Sequence, residues 1–104
     1  MAKLITVYWR DIPAQVIAKE RRQSEKVQLS DRFAEAIDSA AMRGGKGGTD
    51  AYLEEWKRVS RNCTEDLRAE AEAEAARLEA AYDKERLLSL IRNHGVEPPG
   101  EIQS

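Results

Sequence analysis

The stretch that decides the fold is residues 3–29, which read KLITVYWRDIPAQVIAKERRQSEKVQL. In its first part the side chains change faces with the period of two that is typical of strands, and both faces are apolar. This pattern predicts an inner strand over residues 3–10. Pro13 has no N–H for a sheet ladder and restricts the residue before it, so we expect residues 10–13 to form a turn or crossover.

Two more strands are predicted directly after this turn. The first covers residues 15–19, which are apolar at their centre, and the second covers residues 26–29, in which apolar and polar side chains alternate. Residues 20–24 between them are wholly polar, as expected of a hairpin turn. The first third of the chain therefore predicts three strands joined in sequence.

A helix is predicted to follow the third strand. Apolar side chains recur at helical spacing from Phe33 to Ala41, which indicates an amphipathic helix over residues 31–43. Ser30 before it has a side chain typical of an N-cap. The helix is expected to end at residues 44–48, because four glycines in five positions favour the open chain.

The segment after these glycines allows two interpretations. In the first, Thr49 caps a short helix that ends near residue 53, and residues 56–60 form a last strand. In the second, one continuous helix runs over residues 49–59. The alternation of side chains over residues 56–60 favours the strand.

A long helix is predicted for the last third of the chain. Residues 69–81 contain seven alanines and many glutamates, which favour a helix by intrinsic propensity. Thr64 is the expected N-cap, and Gly95 is the expected stop. Asp83 offers a second cap, so the helix is either continuous or kinked near this residue. Residues 96–104 are expected to be a flexible tail.

The order of these elements predicts an α+β fold. We expect a two-layer sandwich, in which a small, mainly antiparallel sheet of three or four strands has two main helices on one face. A chain of 104 residues has room for one domain, which we place at residues 1–95. The core is small, and this favours modest stability or help from association into a homo-oligomer.

Reactive side chains are too few and too scattered for several classes of site. One cysteine and one histidine exclude a disulfide framework and a zinc site built by this chain alone. We interpret Cys63 as an inert thiol and His94 as a cation in the last turn of a helix. Lys46 precedes the last glycines of its loop, unlike the lysine of a phosphate-binding loop. The sequence therefore predicts no metal, no cofactor and no catalytic residue, and it favours a protein that is not an enzyme.

Charge is almost balanced but unevenly placed. The chain has 17 basic and 19 acidic residues, yet residues 1–29 have a net charge of +3 and residues 64–104 a net charge of −5. The basic side chains of the predicted hairpin are Lys19, Arg21, Arg22 and Lys26. They indicate either a weak nucleic-acid contact or a solvated hairpin tip. The sequence pI near 5.5 argues against nucleic acid as a partner, because such binders gain affinity by neutralising phosphates.

Hydropathy gives an expectation about location. No apolar run approaches the ~20 residues that a membrane-spanning helix needs. No basic start followed by an apolar stretch marks a secretory signal. We therefore expect a cytoplasmic protein that does not bind a membrane.

Residues 8–16, YWRDIPAQV, form the segment with the greatest binding potential. They combine two aromatic rings, a guanidinium, a carboxylate and an amide around a fixed turn. Tryptophan and arginine are the side chains most often found as binding anchors. The chemistry of the segment alone favours a structural interpretation, in which Trp9 belongs to the core and Arg10 pairs with Asp11.

A resemblance to a known family rests on this segment and on later motifs. The later motifs are RF at 32–33, AID at 36–38, AMR at 41–43 and TDAYL at 49–53, followed by Trp56. Over roughly residues 3–60, the chain resembles the small bacterial "virulence factor" family, whose domain also occurs within larger proteins called virulence factor C. The resemblance implies no catalytic residues.

The resemblance implies a role in regulation or assembly, because the larger relatives join this domain to an iron–sulfur-scaffold-like domain and helical repeats. It also implies an alternative, an accessory subunit of a folate or corrinoid one-carbon enzyme, since such genes neighbour the stand-alone form. We predict a non-catalytic interaction or accessory domain with an unknown protein partner. Its candidate binding residues, expected to cluster around the end of the first strand, are Trp9, Arg10, Asp11, Gln15, Asp38, Arg43, Asp50 and Tyr52.

Overall fold

A computed structural model of the chain describes residues 2–45 and 50–97. The strands among these residues are β1 (Lys3–Trp9), β2 (Ile12–Glu20), β3 (Gln23–Gln28) and β4 (Trp56–Asn62). They form one sheet in the order β3-β2-β1-β4, in which every neighbouring pair is antiparallel. The last strand predicted at residues 56–60 is therefore confirmed, and the continuous helix is wrong.

The helices of the described residues are α1 (Asp31–Arg43), α2 (Asp50–Glu54), α3 (Leu67–Ala81) and α4 (Lys84–Arg92). The amphipathic helix predicted before the glycines is confirmed at both ends as α1. The short helix predicted after them is confirmed as α2. Sheet and helices together confirm the predicted α+β fold with a small antiparallel sheet.

A two-residue turn joins β1 to β2. Arg10 adopts the left-handed conformation, with φ of 54°, and Asp11 completes the turn. The register shifts just before Tyr8, which pairs with Pro13. Pro13 thus lies inside β2, next to an irregularity where the ladder of hydrogen bonds is already interrupted. The turn predicted over residues 10–13 is therefore two residues too long.

One face of the sheet is covered by α3. Leu4 and Thr6 of β1 lie on this face, opposite Ala18 and Val16 of β2, and all of them are buried. From the helix, the residues that join the core are Leu67, Ala71, Ala75 and Leu78. The small alanines let α3 approach β2 and β3 closely. Burial of a side chain such as Leu4 contributes about 1.5–3 kcal/mol.

The other helices pack around the end of the sheet where β1 turns into β2. α1 contacts both β2 and α4. Its Phe33 is buried and meets Tyr82 edge to face, with ring centroids 6.1 Å apart. Ile12, at the start of β2, belongs to the same core as the buried leucines of α4. The fold therefore has a helical layer on one face and a helical cap at one end.

The start of α1 differs in detail from the prediction. Ser30 stands at the N-cap position, but its side chain makes no cap hydrogen bond. Its backbone N–H and its hydroxyl donate instead to the carboxylate of Glu79, at 2.6 Å and 2.9 Å. Ser30 therefore ties the start of α1 to α3 rather than satisfying its own helix.

The start of α3 corrects a second predicted cap. The helix begins at Leu67, and Asp66 caps it by accepting a hydrogen bond from the backbone of Ala69. Thr64 lies outside the helix and donates its hydroxyl to Glu70 at 2.7 Å. The cap predicted at Thr64 is therefore wrong by two residues, because a carboxylate nearer the helix competes for the same role.

The C-terminal helix is divided, as the alternative with a kink at Asp83 predicts. α3 ends at Ala81, and the Asp83 carboxylate caps α4 by accepting a backbone N–H at 2.8 Å. After Arg92 the chain passes through two left-handed residues, His94 and Gly95. His94 therefore lies beyond the last turn of the helix, which corrects its predicted position.

Two further predictions concern residues at the limits of the described chain. The predicted glycine-rich connector lies partly outside the described residues, and so does the tail predicted at residues 96–104, of which the structure describes 96 and 97. No helix within 2–45 or 50–97 has the length and apolar character to cross a membrane.

Candidate interaction surface

Trp9, at the end of β1, is completely enclosed. Its side chain is 0% exposed, and its indole N–H donates to the backbone oxygen of Tyr52 at 2.9 Å. The Tyr52 ring stacks on it with the ring centroids 5.7 Å apart. Gly95 packs its backbone against another side of the indole. Trp9 therefore supports the surface around it and has no exposed atom for a partner.

The next two residues fasten the segment that follows α4. The Arg10 guanidinium donates to the backbone oxygen of His94 at 2.9 Å. It pairs with Glu55 rather than with Asp11. Asp11 donates its backbone N–H to Gly95 at 2.8 Å, and its carboxylate accepts the N–H of Glu97 at 2.8 Å. This turn is therefore a latch for the C-terminal segment.

An aromatic group closes this corner of the molecule. Trp9 and Trp56 pair across β1 and β4, and Tyr52 of α2 meets the Trp56 ring edge to face at 6.0 Å. Burial raises the pKa of Tyr52, and the negative charge of Asp38 raises it further. The phenol therefore stays neutral at physiological pH.

The structure brings part of the predicted cluster together. The predicted residues that share this corner are Trp9, Arg10, Asp11 and Tyr52. The negative charge of Asp38 acts on Tyr52 of this corner. Gln15 lies further along β2. Arg43 and Asp50 are exposed, and no hydrogen bond or ion pair within the described residues joins them to the corner. The binding role assigned to these eight residues stays a prediction.

A second group of side chains lies on the sheet face opposite α3. The strand register arranges them in three rows, each crossing β3, β2, β1 and β4 in turn. The rows are Ser24–Lys19–Lys3–Asn62, Lys26–Ile17–Ile5–Ser60 and Gln28–Gln15–Val7–Arg58. Together these residues form the open face of the sheet.

The open face lies largely outside the hydrophobic core. Its apolar centre consists of Ile5, Val7 and Ile17. Val7 is buried, but neither Ile5 nor Ile17 belongs to the core or to the half-buried side chains packed against it. Ile5 and Ile17 are partly exposed. A shallow depression of about 660 Å³ lies beside Val7, between Trp56 and Arg58. The described helices thus leave an apolar strip of the sheet uncovered.

Every charge on the open face is positive. Lys3, Lys19, Lys26 and Arg58 are exposed there, and no carboxylate stands among the residues of its three rows. None of these four cations has an ion pair with another described residue. The face is positive although acidic residues outnumber basic ones in the chain, 19 to 17.

A comparison with known families covers most of the corner and most of the open face. A family model described as "Virulence factor" matches residues 7–91, from β1 to α4. The chain belongs to the virulence factor family. No curated protein and no solved structure matches it. Membership confirms the resemblance carried by the YWRDIPAQV segment. It gives the chain a virulence-associated role in the general sense of that description, which names no reaction and no ligand.

Sequence reasoning missed the open face of this virulence factor domain. It grouped Lys19 and Lys26 with Arg21 and Arg22 as one basic hairpin. In the fold, the two arginines lie at the turn beside Glu65, while the two lysines belong to the open face. The period of two predicts the faces of each strand separately. The register that aligns the strands into rows has no signal in a hairpin that lacks a turn motif of fixed geometry.

Cys63 of the virulence factor domain lies just before α3. Burial raises the pKa of its thiol, and the neighbouring carboxylate of Glu70 raises it further. The thiol is therefore protonated at neutral pH, which agrees with the interpretation of Cys63 as inert. Among the described residues, no group of three His, Cys, Asp or Glu side chains is arranged to hold a metal ion.

Proposed function

We propose that this virulence factor domain is a non-catalytic interaction or accessory domain that binds a protein partner through its open face. The observation that carries the proposal is the position of Ile5 and Ile17, both partly exposed, on a sheet face that the described helices leave uncovered. An antiparallel sheet can keep one face solvated, but that face is then expected to be polar. An apolar centre on it is typical of a surface that meets another protein.

The surroundings of this apolar centre support the same function. Trp56 borders it, half-buried between the aromatic corner and the depression near Arg58. Tryptophan and arginine dominate the energetics of protein interfaces, and a polar rim around an apolar centre is the usual anatomy of such interfaces. The corner latched by Arg10 and Asp11 then has a supporting role, because it holds α2 and Trp56 in place.

The size of the open face limits the affinity that we expect. Strands lie about 4.8 Å apart and alternate residues about 6.7 Å apart, so its four strands and three rows span roughly 14 Å by 14 Å between backbones. With side chains, this area is smaller than the ~800 Å² per partner of a standard interface. We therefore expect a transient complex with a dissociation constant on the order of micromolar.

The test replaces one apolar residue on each face of the sheet. Ile17→Thr removes apolar surface from the open face and keeps a β-branched side chain in the strand. Val59→Thr is the matched control, because Val59 is 54% exposed on β4 but lies on the face that α3 covers. Each variant and the parent chain are immobilised, exposed to a lysate of cells that carry the gene, and washed, and the bound proteins are identified by mass spectrometry.

We expect the parent chain and V59T to retain the same protein, and I17T to lose most of it. Retention by all three chains would reject the open face as the contact. The identity of the retained protein also decides the one-carbon alternative, which requires a folate or corrinoid enzyme among the bound proteins. Circular dichroism of each variant verifies that the fold is intact.

A further inference from the structure

We infer that the partner of the open face is acidic: a protein surface that presents carboxylates around an apolar patch. This inference rests on the proposed function and adds the chemistry of the partner. It depends on the charges of the face, on their placement at its margin, and on the chemistry of the centre that they surround.

The two faces of the sheet differ in how their charges are paired. On the covered face, cations of the strands and of α3 have carboxylate partners. Arg61 of β4 pairs with Glu74 at 3.4 Å, and Arg68 of α3 pairs with Glu25 of β3 at 3.3 Å. On the open face, four cations have no ion pair with a described residue. The fold therefore neutralises one face internally and leaves the other face positive.

The cations stand at the margin of the open face. Lys26 lies on the edge strand β3, and Arg58 lies on the opposite edge strand β4. Lys19 and Lys3 form the end row, beside Ser24 and Asn62. The apolar side chains occupy the two central strands between them. A complementary partner would therefore place carboxylates around an apolar contact, which gives charge-assisted contacts at the rim and excludes water from the centre.

The same arrangement disfavours a nucleic acid. Single-stranded nucleic acids bind to grooves in which cations follow the backbone and aromatic rings stack on the bases. Here the centre is aliphatic, at Ile5 and Ile17, and offers no ring for stacking. The ring at the border, Trp56, is half-buried against Tyr52.

A second copy of the chain is disfavoured as well. Two open faces placed against each other would bring the same four cations together without a carboxylate on either side. Like charges opposed in an interface cost free energy. Complementarity therefore favours an acidic partner over self-association through this face.

The experiment uses the full chain, labelled with nitrogen-15, and three probes that are compared by NMR at the same low and high salt concentrations. The first probe is a short amphipathic helical peptide of leucine and glutamate. The second is the same peptide with lysine in place of each glutamate, and the third is an oligouridylate RNA. Two double variants are compared with the parent chain. K26E/R58E reverses two charges on the open face, and K84E/R92E makes the same change of net charge on the exposed surface of α4.

We expect the glutamate peptide to shift the amide signals of open-face residues saturably, with an affinity that falls as salt is added. K26E/R58E should weaken the affinity for the glutamate peptide about tenfold. K84E/R92E should keep that affinity within about twofold of the parent chain's value. Absence of saturable binding, equal binding of the lysine peptide, tighter binding of the RNA, or equal effects of the two double variants would each overturn the inference. The Ile17→Thr capture experiment is independent of charge, so its success alongside such a failure would preserve the proposed function and remove only the acidic partner.

Discussion

At the scale of single residues, the corner around Trp9 explains why the YWRDIPAQV segment combines such different side chains. Trp9 is the largest side chain that the described residues bury completely. The turn that follows it, at Arg10 and Asp11, binds the chain after α4 through three hydrogen bonds of 2.8–2.9 Å. The segment therefore joins the first strand to the end of the domain, and its polar side chains serve contacts within the chain.

Gly95 is the residue on which this corner depends most sharply. Its φ of +90° lies in the left-handed region, and a Cβ atom there would stand 2.8 Å from Cζ3 of Trp9. Gly95→Ala should therefore lower the free energy of unfolding by about 2–4 kcal/mol, from backbone strain and from overpacking against a rigid ring. Urea unfolding at neutral pH, followed by circular dichroism, measures the loss.

The matched control is Gly45→Ala. Gly45 also has a left-handed backbone, with φ of +73°, but no described atom would lie within 4 Å of an added Cβ. Its substitution should cost only the strain of about 1–2 kcal/mol. Equal losses for the two variants would show that the contact with Trp9 adds nothing to the strain.

At the scale of elements, one arginine connects the beginning of α1 to the end of α3. The Arg32 guanidinium donates to the backbone oxygen of Tyr82 at 2.6 Å and to that of Glu79 at 2.7 Å. It also pairs with the Glu79 carboxylate at 3.0 Å and lies over the Phe33 ring. The last carbonyl groups of a helix have no partner within the helix, so Arg32 acts as a cap supplied by a different helix.

Arg32→Met should remove the hydrogen bonds and the ion pair between α1 and the end of α3 while keeping most of the apolar part of the side chain. We expect a loss of about 1.5–3 kcal/mol in the free energy of unfolding, because hydrogen bonds from a charged donor are removed and carbonyl groups of α3 lose their partner. Arg92→Met, in the last turn of α4, removes a cation that has no ion pair with a described residue and should cost less than about 1 kcal/mol. Thermal and urea unfolding of both variants make the comparison, and similar losses would contradict the role of Arg32.

The elements also show what the sequence can and cannot predict. The bounds of α1 were predictable because its apolar stripe from Phe33 to Ala41 ends at a run of glycines. The cap of α3 was not, because Thr64 and Asp66 are both suitable caps and only the fold decides that Thr64 donates to Glu70 instead. Local chemistry therefore predicts that a helix exists more reliably than it predicts where the helix begins.

At the scale of the whole molecule, the open face could not be predicted from the sequence because its residues are far apart along the chain. The residues of the open face come from four strands that span positions 3 to 62. Each strand alone shows one to three cations, and no single strand indicates which of them share a face with the cations of its neighbours. Only the register puts Lys26, Ile17 and Ile5 in one row and thus shows that the apolar centre has a positive margin. In the predicted corner, Trp9, Arg10 and Asp11 are adjacent in sequence, so their proximity was predictable, whereas Tyr52 joins them from α2.

Charge also determines how the whole molecule should respond to acid. Three glutamates of α3, Glu70, Glu74 and Glu79, have pKa values lowered below 4.5. For Glu74 the main cause is the hydrogen bond from Arg77. For Glu79, burial raises the pKa, but hydrogen bonds from Ser30 and the nearby Arg32 outweigh it. Glu74 also pairs with Arg61 of β4, and Glu79 binds the start of α1, so protonation of these two glutamates weakens the packing of α3 on the rest of the domain.

The sign of the pH dependence follows from these lowered pKa values. A carboxyl whose pKa is lower in the folded than in the unfolded state contributes stability that is fully present above the unfolded value, near 4.5, and is lost as the pH falls through the folded value. We therefore expect the free energy of unfolding to be constant from pH 7 to about 5 and to fall below that. Urea unfolding at a series of pH values tests this expectation. Glu74→Gln should be less stable than the parent at pH 7 by about 1–3 kcal/mol, and the difference should shrink as the pH is lowered. A difference that stayed constant to pH 3 would mean that the Glu74 ion pairs contribute nothing that depends on its charge.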